Sequence, residues 1–284
     1  MPAHKRQLAY REVSNIQGSA MGSTPGTSVP AHASSNSTKG TATELVAAAS
    51  VVFDVMCVEI YISNYGLLGT SAKGMLDLLI GSSLTTVLVA DLLCGNAGGS
   101  SVLGEGGVYY RIPILIPAGT RVGAQLAGER TGVSGRVAIR LHEKPEAILA
   151  TKVVTYKGAS AIPDAVPVTA SNGGEGAWIQ VVAATSEDHI GFFSGFQAPT
   201  DTSLTPNKQF VRDIGVGTAT EALLCGFEQS RISRYGTGEL CDFVAGNDYI
   251  ACPVPSGTRM TMRLGTNGGA DAAAPQVALY GLSS

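Results

Sequence analysis

Two acids and two arginines stand at matched places in the two halves of this chain: Asp77 with Asp213, and Arg121 with Arg259. An acid and a guanidinium repeated in this way are groups that bind a sugar or position a substrate. They are equally groups that fix strand register by pairing across a sheet. The second reading is preferred, because a fold-defining contact must survive in both halves whereas two retained catalytic sites would be unusual. It predicts that Asp77 pairs with Arg121, and Asp213 with Arg259, across neighbouring strands.

The other reactive side chains form no recognisable constellation. His4, His32, His142 and His189 have no local acid or nucleophile partner, and neither a G-x-S-x-G elbow nor an H-E-x-x-H pair occurs. Gly69 to Gly74 (GTSAKG) has the glycine spacing of a phosphate loop, but Met75 follows where Lys-Ser/Thr is needed. Glu187 and Asp188 are adjacent, so on a strand they would point to opposite faces. Trp178 is the single tryptophan and aromatics are 6%, which weakens a sugar-stacking platform. Cys57, Cys94, Cys225, Cys241 and Cys252 form no CxxC pair and have no histidine at zinc-ligand spacing. They read as small buried hydrophobes, with a crosslink between subunits as the alternative. No catalytic residue, metal ligand or cofactor is assigned, and an enzyme is not expected.

The elements that must carry these residues are strands. Glycine is 36 of 284 residues, about 13% against a usual ~7%, and charged residues are 14% against ~25%. With 44% apolar residues and a net charge of −3, the bulk of the chain is neither disordered nor built to grip nucleic acid. The glycines show no three-residue period, which excludes collagen. No apolar h-region follows the basic start (MPAHKRQLAY), so no secretory signal is read. Glu44 to Ile62 approaches membrane-spanning length but holds Glu44, Asp54 and Glu59, each costing up to ~2.5–3.5 kcal/mol at mid-bilayer. No membrane insertion is expected. Its part Val51 to Ile62 reads as a strand apolar on both faces, buried on both sides.

Laid against itself, the chain repeats. Ile116-Pro117-Ala118-Gly119-Thr120-Arg121 matches Val254-Pro255-Ser256-Gly257-Thr258-Arg259. Asp77-Leu78-Leu79-Ile80-Gly81 matches Asp213-Ile214-Gly215-Val216-Gly217, and Val137-Ala138-Ile139 matches Val277-Ala278-Leu279. Leu93-Cys94-Gly95 is set against Leu224-Cys225-Gly226, and Val29-Pro30-Ala31 against Val166-Pro167-Val168. The period, about 137 residues, is that of a whole domain. Arg121 to Leu126 and Arg259 to Leu264 alternate polar and apolar residues, the mark of a half-buried strand after a Pro-x-Gly turn. The fold class expected is all-β: two tandem antiparallel β-sandwich, jelly-roll-like domains over 28–157 and 158–284, joined by a short linker from Gly158 to Pro167. Only Glu44 to Ser50 and Thr218 to Cys225 are candidate helices.

Residues 1–27 have no counterpart in this scheme. They carry His4, Lys5, Arg6 and Arg11, then Ser, Gly and Thr with almost no apolar anchor. Such an arm needs a surface to order it, most simply a neighbouring subunit.

These units resemble those of a family of structural proteins of tailed bacteriophages, built from tandem β-sandwiches with D-x-G-x-G, I-P-x-G-T-R and V-x-L-x-G strands. Asp213 to Gly217, Val254 to Arg259 and Val277 to Gly281 fit closely; Leu79 departs from the first glycine, and Arg140-Leu141 from the final Tyr-Gly. The resemblance implies a non-enzymatic virion subunit (capsid decoration, collar, tail or baseplate), assembled in the bacterial cytoplasm and anchored through its N-terminal arm. Its partners would be other virion proteins and copies of itself, with no nucleic acid. The alternative is a host-attachment module whose partner is a glycan or protein of the host cell surface.

Overall fold

The computed structural model describes residues 11–16, 26–35, 37–63, 72–96, 108–129, 131–159, 162, 164–197, 208–217, 221–235, 238–242, 249–266 and 275–284. Among them, regular structure is all β apart from one 3-10 turn, Ala48–Ser50. The first half holds β1 (Glu12–Ser14), β2 (Thr27–Pro30), β3 (Thr43–Val46), β4 (Cys57–Ser63), β5 (Ala72–Ile80), β6 (Thr86–Asn96), β7 (Val108–Ile112), β8 (Val122–Gly128) and β9 (Ser134–His142). In one sheet β1 and β2 both lie on β9, followed by β4 and β7; the other runs β3-β8-β5-β6. Alternation puts Val58, Ile60, Ile62, Ile139 and Leu141 of the first sheet inside, against Leu76, Leu78, Ala124 and Leu126 of the second.

The second half holds β10 (Lys152–Tyr156), β11 (Val166–Pro167), β12 (Ala170–Asn172), β13 (Ile179–Val182), β14 (Gly191–Gln197), β15 (Lys208–Val216), β16 (Ala222–Tyr235), β17 (Gly238–Asp242), β18 (Met260–Thr266) and β19 (Gln276–Ser283). Here β10 and β11 lie on β19 with β14, while β12 and β13 lie on β18, followed by β15, β16 and β17. All pairs are antiparallel except β12 with β18.

The same ladders occur in both halves. Met75↔Ala127 through Ile80↔Val122 on β5–β8 runs in step with Val211↔Gly265 through Val216↔Met260 on β15–β18. The β5–β6 register slips between Leu76 and Leu78, and the β15–β16 register between Arg212 and Ile214. Both slips fall at the repeated acid. The Pro-x-Gly turns also match: Gly119 and Gly257 take positive φ (75° and 80°), which glycine alone adopts freely, and donate to the carbonyls of Val51 and Thr185. Asp54 Oδ1 accepts from the Ala118 amide at 2.8 Å and Asp188 Oδ1 from the Ser256 amide at 2.7 Å, holding each turn closed.

The halves meet through a buried junction. One face of β10, β14 and β19 (Val153, Phe193, Ala278, Tyr280 and Leu282) belongs to the same apolar cluster as the first sandwich. Tyr280 stacks on Phe193 at 4.6 Å, and both rings sit edge-on to Tyr110. The Tyr280 hydroxyl donates to the Asp91 carbonyl and accepts from the Leu93 amide; the Tyr110 hydroxyl donates to the Leu93 carbonyl. Burying each such ring contributes roughly 1.5–3 kcal/mol. The sheet of β10, β14 and β19 thus closes the side of the first sandwich where β6 and β7 run.

Several expectations need correction. Glu12–Ser14 is no free arm: it pairs with Arg140–His142 of β9, as Lys152–Tyr156 pairs with Leu279–Ser283 of β19. Residues 12–14 therefore do have a counterpart, and Thr27 belongs to β2. The break between halves falls between β9 and β10 instead of at 157/158, because β10 closes the second sandwich. The segment read as a linker contributes β11. Glu44 to Ser50 splits into β3 and the 3-10 turn, and Ala222 to Cys225 lies in β16; Thr218 to Thr220 lie outside the described residues. Cys94 pairs with Gly74 whereas Cys225 pairs with Ile214, the counterpart of Leu78. The Leu-Cys-Gly match was thus five residues out of step, since short apolar triplets recur along any strand. Met1 to Tyr10 lies outside the described residues.

Candidate functional site: the charged outer faces

Asp77 sits on the outward side of β5, opposite the slip in β6 that leaves Ala90 and Asp91 facing one residue. Asp91 takes a positive φ of 55°, and its freed amide donates to Asp77 Oδ1 at 2.8 Å. Asp77 Oδ2 accepts from Gln125 Nε2 at 2.8 Å. Lys39 arrives from the loop before β3 and binds Asp77 at 2.6 Å, Asp91 at 2.8 Å and the Met75 carbonyl at 3.0 Å. The group is a staple: a carboxylate fills the gap that a bulge opens, and a lysine bridges two acids.

Asp213 occupies the same place on β15, facing Arg263 in the register that pairs Asp77 with Gln125. Arg263 Nε donates to Asp213 at 2.8 Å, Nη2 lies 2.7 Å away, and the same Nη2 binds Glu175. Glu175 precedes Gly176 as Lys39 precedes Gly40, and both glycine amides reach β18 or β8 carbonyls at 2.8–2.9 Å. The loop charge is reversed, from Lys39 to Glu175, and the strand residue facing the acid changes from neutral Gln125 to Arg263. The Arg263 guanidinium also lies 4.4 Å over the Trp178 ring, which rests on Gly215. A Cβ at Gly215 would come within 2.8 Å of that ring. In the first half buried Leu79 and half-buried Ala42 stand at these two places, which accounts for the departure of Leu79 from the D-x-G-x-G pattern.

The expected Asp–Arg pairs do not form. Arg121 binds Glu44 at 2.7 Å and the Ser82 carbonyl; Arg259 binds Gln180 at 3.0 Å, Glu221 and the Gly217 carbonyl. Each arginine stands one residue before its strand β8 or β18 and four residues before Gln125 or Arg263, the position that faces the acid. Their shared role is to lash the loop before β6 or β16 to the strand β3 or β13.

A second charged surface covers the outer face of β1, β9, β4 and β7. Glu12, Arg140, His142 and Glu59 bridge in turn: Arg140 Nε to Glu12 at 2.9 Å, Arg140 Nη1 to Glu59 at 3.5 Å, His142 Nε2 to Glu59 at 3.2 Å. Burial works against the Glu59 charge, yet hydrogen bonds from His142 and Tyr109 hold its carboxyl below the usual range. Tyr61 and Tyr109 stand opposite one another beside it, both half-buried. Arg111 binds Glu146 at 2.5 Å and lies against Cys57, whose thiol burial pushes up to about 12. Nothing in the histidine and carboxylate spacing of the sequence foretold this grid, because its members come from four strands.

His189 lies inside the second sandwich, with Nε2 2.8 Å from the Tyr156 hydroxyl and Nδ1 2.8 Å from Ser283 Oγ. Burial pushes its pKa down. The ring packs under Gly281, where any Cβ would strike it at 2.5 Å, so this is a satisfied core histidine. Cys94 is buried and its thiol is pushed up to about 12, so it is no nucleophile at neutral pH. Glu187 binds Lys152 at 2.5 Å. Among the described residues no group of three or more His, Cys, Asp or Glu is placed to hold a metal, and no helix is long and apolar enough to cross a membrane. No family model, curated protein or solved structure matches the chain.

Proposed function

We propose that this chain is a non-enzymatic structural subunit of a tailed-bacteriophage particle, held to other virion proteins and to copies of itself. The observation that carries this reading is the continuous core between the halves. Phe193, Tyr280 and Leu282 of the second sandwich pack in the cluster of the first, so the two move as one stiff block. The charged groups lend it support: the clusters at Asp77 and Asp213 are closed on themselves, each acid answered by a neighbouring cation or amide. They staple bulges and loops. With Glu12–Ser14 bound to its own β9, the attachment segment is Met1 to Tyr10, whose His4, Lys5 and Arg6 suit an acidic surface on the particle.

The test is the protein content of purified particles. The chain is expected there in fixed proportion to the major virion proteins, and deletion of residues 1–10 should remove it without changing its own melting temperature. Particles that lack it, or a full-length chain that stays in the supernatant, would refute the reading.

A further inference from the structure

Lys39, Asp77 and Asp91 are placed as reactants as well as ion pairs. Lys39 Nζ lies 2.6 Å from Asp77 Oδ1, the atom bonded to the carboxyl carbon, and 2.8 Å from Asp91 Oδ1. An amine held in contact with a carboxyl group is the arrangement from which addition starts. The nucleophile is fixed at its root. Gly40 beside it donates to the Leu126 carbonyl at 2.8 Å and has no room for a Cβ against the Pro30 carbonyl. The electrophile is fixed too: Gln125 Nε2 donates to Asp77 Oδ2 and the Asp91 amide to Oδ1, each at 2.8 Å, drawing electrons from the carbon. Asp91 is held at a positive φ of 55°, a strained conformation for a residue with a side chain. Its amide is thereby turned onto Asp77 and its carboxylate onto Lys39. Side-chain exposures of 14%, 8% and 14% for Lys39, Asp77 and Asp91 leave little water at the pair.

We propose that Lys39 and Asp77 condense to a covalent amide, a self-made crosslink between the loop before β3 and strand β5. The step needs no reagent from outside. One proton of the Lys39 ammonium passes through the Asp91 carboxylate to the Asp77 carboxylate, leaving an amine beside a neutral acid. The nitrogen lone pair then forms a C–N bond at Asp77 Cγ. The C–O bond breaks, and its oxygen leaves as water with a second nitrogen proton relayed by Asp91. One proton stays on the amide nitrogen, and Asp91 ends as it began. Lys157, 3.9 Å from Asp91 Oδ2, remains to balance that carboxylate once the Lys39 charge is gone. The second half supplies the control. There Asp213 faces Arg263, and Glu175 takes the loop place of Lys39. A guanidinium stays protonated and does not attack a carboxyl group, so one bond forms per chain. The bond forms in the isolated chain, whether or not that chain belongs to a phage particle.

The experiment is the intact mass of the full-length chain, purified folded and then denatured. The unaltered chain should be lighter than its sequence by one water, and not by two. Trypsin should fail at Lys39 and release residues 12–73 and 74–111 as one branched species. Lys39→Arg keeps a cation for both acids but carries no amine, so it should show full mass with an unchanged circular dichroism spectrum. It is also the unbonded reference against which the noncovalent contacts of Asp77 are measured. Asp77→Asn should release ammonia instead of water and arrive at the mass of the bonded unaltered chain. Asp91→Asn, which removes the relay, should keep its water. An unaltered chain of full mass that trypsin cuts after Lys39 overturns the proposal, even if no variant folds. Loss of water from Lys39→Arg overturns it as well, since the dehydration then lies at another residue. A full-mass chain recovered from purified particles would remove this crosslink and leave the virion reading standing.

Discussion

The outward side of β9 and that of β19 are the same surface built twice, to opposite ends. On β19 it carries Tyr280 and Leu282, fully buried against the first sandwich; on β9 it carries Arg140 and His142, bridged to Glu12 and Glu59. The backbone is common, because the inward residues (Ile139 and Leu141, Leu279 and Gly281) keep each sandwich closed. The outer residues are free to vary, and they record what each sheet faces. Sandwich-forming residues and partner-forming residues are thus separated by the two-residue period of the strand.

The sharpest way to break the comparison is to remove the ring that sets the two faces apart. Tyr280→Ala should lose about 3–5 kcal/mol in denaturant unfolding and split one transition into two as the halves uncouple. Arg140→Ala, at the matching position, should lose no more than about 1 kcal/mol, since that side chain is nearly half exposed. Equal losses would mean that the two faces do not differ in the way described. Next in size is the bulge staple. Asp77→Ala leaves the Asp91 amide without its acceptor and the half-buried Lys39 with Asp91 as its remaining carboxylate, at about 1–3 kcal/mol, whereas Asp77→Asn should recover part of it by still accepting from the amide.

The third comparison concerns the exchange of Leu79 with Ala42 for Gly215 with Trp178. Gly215→Leu alone should cost about 1–3 kcal/mol by expelling the indole. Adding Trp178→Ala, which recreates the first half's combination, should be less destabilised than the sum of the two single variants. Additivity in that cycle would show that the two positions do not share a space.

The smallest effect is on pH. His189 has Val55 as its counterpart in the first half, as the bridges His189↔Val254 and Val55↔Ile116 show. Burial lowers the folded pKa of His189, so the unfolded chain takes up the proton first. Its contribution is therefore intact above the ordinary value of about 6.5 and declines as pH falls below it. Unfolding followed between neutral pH and about pH 5 should show this slope, ahead of the loss from carboxylates such as Glu59 below about 4.5. His189→Gln, which keeps a donor and an acceptor, should flatten it; an unchanged slope would place the sensitivity elsewhere.

Much of this was legible in the sequence. Alternation in Arg259 to Leu264, the turns at Gly119 and Gly257 and the repeated Asp77 and Asp213 give an all-β chain with two like halves. The partners of those acids were not legible. A bulge moves the facing residue by one, and whether Asp77 meets Arg121, Gln125 or the Asp91 amide depends on a slip that no spacing reveals. The counterpart of Glu12–Ser14 was missed for a related reason: a three-residue strand with one apolar side chain has too little pattern to be matched with Lys152–Tyr156.

What the sequence by itself determined, then, is local and periodic. Strands alternate, glycines mark positive-φ turns, and an acid recurs at one point of each half, since these follow from φ/ψ preferences and from which side chains water excludes. Tertiary structure alone decided that β10 belongs to the second sandwich, that Lys39 and Glu175 answer charges of opposite sign, and that Tyr280 lies under β6. Those contacts join residues far apart along the chain. Their energy appears only when two sheets close on one another and leave each buried polar group to find a partner.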